Sequence, residues 1–190
     1  VLSADAKVGM LAAEYFGVVK DEVIEIGLTA NRGDAASHVG VANDLAALLQ
    51  VPFSRIAHEK GEESVLWKQK AAGISVSIED AQWCERYVAL EIRGVQLGDS
   101  PAFVKNRLRA IGIEPRNNVV DATNYFLHQT GQPSHAFDAD KIVGGITVRL
   151  AKAGETLVLL DGKKIELHAQ DVVIADASGA IALAGVMGGQ

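Results

Sequence analysis

Apolar residues along this chain fall into two spacings, helical in its first quarter and alternating over much of the remainder. Ser3 precedes Val8, Leu11, Ala12, Tyr15 and Phe16 at helical intervals, and Gly17 stands where a helix would stop. Residues 22–28, EVIEIGL, put Ile24, Ile26 and Leu28 on one face of a predicted strand, and the polar loop TANRGD follows. Ser37 is the expected cap of a second helix that gathers Val41, Leu45, Leu48 and Leu49 and ends near Gln50. The polar run HEKGEES then marks a boundary.

Past that boundary Ile74, Val76 and Ile78 share a face, and YVALEIRGV from Tyr87 to Val95 reads as a longer strand. A helix is predicted next, with Ser100 as cap, Pro101 at its first position, Phe103, Val104, Leu108 and Ile111 as its stripe, and Gly112 as its end. Residues 118–130 form another helix, stopped by Gly131 and Pro133. The segments ITVRL, ETLVLL, KIEL, DVVIAD and AIALAGV follow as strands, with an Asp161-Gly162 turn joining the second to the third. Hairpin-length links of this kind predict an α+β fold whose sheet is mainly antiparallel, with helices packed on one side. A small N-terminal α/β segment would occupy residues 1–52 and the main domain residues 53–190.

At 190 residues with 48% hydrophobic content the chain can bury one good core. No apolar run approaches the ~20 residues that span a bilayer, so no membrane association is expected and a cytoplasmic location is the default. The lone cysteine, Cys84, excludes an internal disulfide and reads as a small core residue beside Trp83. A net charge of −6 argues against a broad basic face for nucleic acid, so any such contact has to be local. Val1 in place of a methionine and the glycine-rich close GVMGGQ are what a piece of a longer protein would show.

Four motifs carry candidate chemistry. In NRGD, Asn31 to Asp34, an arginine and an aspartate beside glycine most simply form a loop that satisfies itself. In NNVVDATNY, residues 117–125, small polar groups interrupt an apolar helix, so they either point into a site or tie down a neighbouring loop. GQPSHAFD places His135 on a turn fixed by Pro133, a helical turn's spacing before Asp138, in the loop setting that suits proton transfer near neutral pH. GVMGG, residues 185–189, can present backbone N–H groups to an anion or can be a plain tight turn. Asp121, His135, Asp138 and Asp140 have no recognised metal-ligand spacing.

The blocks DEVIEIGLTANRGDAASHVGVANDLAALL, NRLRAIGIEPRNNVVDATNY and GQPSHAFDADKIVGGITVRLAKAGETLVLLDGKK, in that order, closely resemble the bacterial phenylalanyl-tRNA synthetase beta subunit family. The resemblance implies that residues 1–52 close an N-terminal domain and that 53–190 are most of the central tRNA-editing domain, truncated at its C-terminal end. Such a domain hydrolyses the ester of tRNA(Phe) charged with tyrosine, which is needed because a phenylalanine pocket rejects an added hydroxyl only about 10²-fold. By the same resemblance His135 is the catalytic histidine, orienting or activating water or positioning the terminal ribose. Thr123, Asn124 and the turn of Gly185, Val186, Met187, Gly188 and Gly189 bind substrate, all converging on one pocket. ATP and magnesium belong to the alpha subunit, so no cofactor and no metal are expected in this chain. The implied partners are the tRNA(Phe) 3′ end and the alpha subunit of an alpha2-beta2 heterotetramer.

Two departures qualify the resemblance. Glu114 stands where the family usually has arginine, with Arg116 following the proline, and the acidic residue that recognises the tyrosine hydroxyl lies beyond Gln190. The chain by itself is therefore expected to fold but to edit poorly. A non-catalytic scaffold that binds tRNA or a subunit is the alternative reading, and a free-standing editing factor is disfavoured by the acidic balance.

Overall fold

The computed structural model describes residues 2–3, 6–18, 20–53 and 73–189. Two compact units alternate along the chain, residues 1–56 with 96–136 and residues 57–95 with 137–190. The fold is mixed α+β with a mostly antiparallel sheet, the helices of any length lying in the first unit and the sheets in the second.

In the first unit, α1 (Ala12–Tyr15) is a single turn, α2 spans His38–Leu49, α3 Ala102–Ala110 and α4 Asn118–Thr130. Ser37 caps α2 by accepting the Gly40 N–H, and Asn117 caps α4 by accepting from Val119 and Val120, as the small polar residues at both positions predict. Gln50 and Gly131 end these helices in the left-handed conformation. The NRGD loop satisfies itself and more: Arg32 pairs with Asp34 at 3.0 Å and reaches Asp44 of α2 at 2.6 Å. Both carboxylates raise the pKa of Arg32, and Arg32 lowers that of Asp34. Leu108, Ala35 and Ala46 supply the apolar core of this unit, and Ser100 and Asp121 are buried with them.

In the second unit, β1 (Val76–Ile78), β2 (Ile146–Leu150), β5 (Val172–Ala175), β6 (Ala180–Leu183) and β7 (Met187–Gly188) form one sheet in that spatial order. Its pairs are antiparallel except β1 with β2, which run parallel with Val76 opposite Ile146. Strands β3 (Thr156–Val158) and β4 (Lys164–Glu166) make a separate hairpin over the Asp161-Gly162 turn. Val173 and Ala175 are fully buried among Ala151, Leu157 and Leu167. Arg149, 6% exposed, makes a two-pronged pair with Glu155 at 2.8 and 2.6 Å, and Glu155 also accepts the N–H groups of Lys152 and Ala180. The pair thus fastens β2 to the start of β6.

Several expectations are corrected. The first helix shrinks to α1 because Gly9 adopts φ +90°, which no helix accommodates, and Ser3 caps nothing in it. Residues 22–28 and 87–95 are not strands: alternation supplies a face, but a strand also needs a ladder, and among the described residues neither segment has one. Ile24, Leu90 and Ile92 are accordingly exposed. Ser100 does not cap α3, since its hydroxyl goes to Asp121, and Pro101 occupies the cap position instead of the first helical one. Cys84 is half-buried on a turn closed by Asp80 and Trp83 is 50% exposed, so neither is a core residue. Asp138 caps a single 3-10 turn, Ala139–Lys141, and no helix joins it to His135. The HEKGEES boundary lies outside the described residues.

The Arg149–Glu155 pair makes a testable claim. Glu155→Gln would leave a buried guanidinium without a counter-charge and should lower unfolding free energy by about 3 kcal/mol in denaturant titration. Arg149 and two backbone donors hold the Glu155 pKa at about 2, below its usual 4.5. Because the folded-state value is depressed, the stabilisation is complete above the usual carboxylate value and is lost as pH falls through about 2. The substitution should remove this part of the acid dependence.

Candidate functional site

Helix α4 is held by its polar residues before any of them is available to a ligand. Asn118 brackets the preceding loop, donating to the Gln96 carbonyl at 2.8 Å and accepting from the Gly98 N–H at 3.2 Å. Asp121, 1% exposed, accepts the Ser100 hydroxyl at 2.5 Å and the Arg116 N–H at 2.8 Å. Of the two readings of NNVVDATNY, tying down neighbouring loops describes Asn118 and Asp121, while Asn117 caps its own helix. Thr123 donates to the Val120 carbonyl one turn back at 2.7 Å, which fixes its rotamer and leaves its oxygen able to accept. Asn124 follows it on the helix, half-buried.

Gly131 ends α4 at φ +78°, and the chain runs through Pro133 without regular structure to His135. His135 is exposed as a whole residue, yet its partly desolvated surroundings lower its pKa below the ordinary 6.5. It is therefore mainly neutral at pH 7, with one ring nitrogen able to accept a proton. Thr123, Asn124 and His135 all belong to the first unit, on α4 and the loop that leaves it.

The glycine turn belongs to the second unit. Gly185 takes φ +71° in the β6–β7 turn, where a side chain would be strained. Gly189 needs to be glycine for a different reason: a Cβ there would lie 2.6 Å from the Ile181 carbonyl oxygen and 2.8 Å from Leu157 Cδ1. Two of the amides expected to face a ligand are committed, Val186 N–H to Leu183 and Gly189 N–H to Ile181. The Gly188 carbonyl accepts from Leu160, which draws the β3–β4 hairpin to β7.

Sequence reasoning missed the Ser100–Asp121 clamp and the contact of Arg107 with Tyr125. The signal for the first was present in the buried-side position of Asp121 on an otherwise apolar turn of α4. Among the described residues no three His, Cys, Asp or Glu side chains gather as a metal site, and no helix is long and apolar enough to cross a membrane.

Comparison with known proteins places this geometry in context. The B3/4 domain family model matches residues 83–190. The chain is 41% identical to the phenylalanine–tRNA ligase beta subunit of Bacteroides fragilis (strain ATCC 25285) and 45% identical to that of Porphyromonas gingivalis, in both cases along its whole length. It is 44% identical over 97% of its length to the beta subunit of Aquifex aeolicus. Each alignment covers 23% of the relative, so the chain spans about a quarter of the length of the curated proteins it matches. With a match over more than half of its residues and relatives of one kind along its length, the chain belongs to the B3/4 domain family and is a homologue of phenylalanine–tRNA ligase beta subunits.

Proposed function

We propose that this chain supplies the editing function of a phenylalanine–tRNA ligase beta subunit, hydrolysing the ester that joins tyrosine to tRNA(Phe). The observation that carries the reading is His135 on the loop that leaves the capped helix bearing Thr123 and Asn124, with its pKa lowered by partial burial. In this reading its unprotonated nitrogen takes a proton from water as the water oxygen attacks the ester carbonyl. The bond from carbonyl carbon to ribose oxygen then breaks, the ribose oxygen regains a proton, and tyrosine and uncharged tRNA leave. Thr123 and Asn124 offer the hydroxyl and carboxamide groups that orient the aminoacyl end. The glycine turn at 185–189 enters on sequence resemblance alone. Synthesis, with ATP and magnesium, is assigned to the alpha subunit of an alpha2-beta2 enzyme in the cytoplasm, and the tRNA 3′ end is the shared partner.

Placed in the full-length enzyme, His135→Ala should slow deacylation of tyrosyl-tRNA(Phe) by about 10²- to 10⁴-fold while phenylalanine activation is unchanged. Equal loss of both activities would make the histidine an assembly residue and favour the scaffold reading.

The pH profile gives a separate check. Only the neutral imidazole accepts a proton, and burial lowers its pKa, so deacylation should fall on acidification with a midpoint below 6.5 and be level at pH 7. A midpoint at or above 6.5 contradicts the role given to His135.

A further inference from the structure

Residues 101–117 concentrate positive charge in an acidic protein: Lys105, Arg107, Arg109 and Arg116 stand against one carboxylate, Glu114, in a chain of net charge −6. Lys105 is matched by Asp99 at 3.0 Å, and Arg109 reaches Glu114 only at 3.4 Å. Arg107 is placed differently. Among the described residues it has no ion pair; its guanidinium lies 5.9 Å from the centroid of the Tyr125 ring and donates to the Tyr125 hydroxyl. Phe103, one turn earlier on α3, meets the same ring edge-on at 6.3 Å and is 58% exposed. Arg116 follows α3, exposed and without an ion pair among the described residues, its backbone fixed by Asp121.

Packing explains Val104 and Leu108, which face the core side of α3, but it does not explain an exposed phenyl ring beside a guanidinium held by the hydroxyl of a tyrosine. Unpaired bases stack on aromatic rings and on guanidinium planes while the phosphates beside them pair with arginine. An acidic peptide would satisfy the arginines and leave Phe103 unused. Duplex RNA is held through phosphate and 2′-hydroxyl contacts, which also have no use for an exposed ring. From this combination we infer that the Phe103–Arg107–Tyr125 face of α3 and α4, with Arg116, is a binding surface for single-stranded RNA. The inference rests on the function proposed above for the identity of that strand, the unpaired 3′ end of tRNA.

The test is fluorescence anisotropy of a labelled single-stranded RNA ending in CCA, titrated with the 190-residue chain between about 50 and about 200 mM salt. Arg107→Gln and Arg116→Gln should each reduce the slope of log affinity against log salt by about 0.7. Phe103→Ala should weaken binding by about 5- to 100-fold with the slope unchanged, and an abasic strand should not register that substitution. Circular dichroism checks that α3 survives in the Arg107 variant, and the loop position of Arg116 gives a variant that leaves the helices untouched. Unchanged slopes in both arginine variants, or equal binding of polyglutamate, would overturn the proposal. Its failure is separable from failure of the editing reading: His135→Ala in the full enzyme should slow deacylation by the same factor whether or not the α3 face binds RNA, and should leave oligonucleotide binding intact.

Discussion

A carboxylate sealed from water must find donors, and Asp121 finds them in two separate stretches of chain, at Ser100 and at Arg116. An unmatched charge there would cost several kcal/mol, so the loop before α3 and the loop after it are both obliged to close on the first turn of α4. Asn118 adds a second tie to the first of these loops. The helix that carries Thr123 and Asn124 is consequently held at its N-terminal end by polar bonds and along its length by packing on Leu108. A side chain borne on such a helix loses little freedom when a ligand arrives, which is the condition for precise placement.

The sheet unit solves a comparable problem with one buried ion pair and one missing side chain. Arg149 and Glu155 tie β2 to the chain entering β6, and Gly189 lets β7 close over Leu157 where even a methyl group would collide. The short β6–β7 turn is therefore shaped from beneath by the core. Its conformation is a property of the packing more than of the turn residues themselves.

What could be read from the sequence follows the range over which each signal acts. Ser37 announced α2 and Gly131 the end of α4 because caps and stops work within a few residues, and Asp161-Gly162 announced its hairpin for the same reason. The α+β class and the largely antiparallel sheet followed from short links between alternating segments. Residues 22–28 and 87–95 were misread because a strand is a relation between two segments, and one segment's alternation holds only half of it. Ser100 was misread by competition: its hydroxyl had two possible partners, a local amide and a distant buried carboxylate, and the distant one won. The loop position of His135 was legible from Gly131 and Pro133 before it. The lowered pKa of His135 and the hydrogen bond of Arg107 to Tyr125 depend on tertiary neighbours and leave no local trace.

The parallel pairing of β1 with β2 has a consequence for how this protein can vary. Antiparallel neighbours can be joined by a two-residue turn, but parallel neighbours require the chain to leave at one end of the sheet and re-enter at the other. Here the excursion runs from residue 79 to residue 145 and contains α3 and α4. Closure entropy grows only slowly with the length of such an excursion, by about 0.6 kcal/mol per doubling. The register of Val76 on Ile146 is therefore set by the two strands themselves and depends only weakly on the length of the chain that leaves and returns between them.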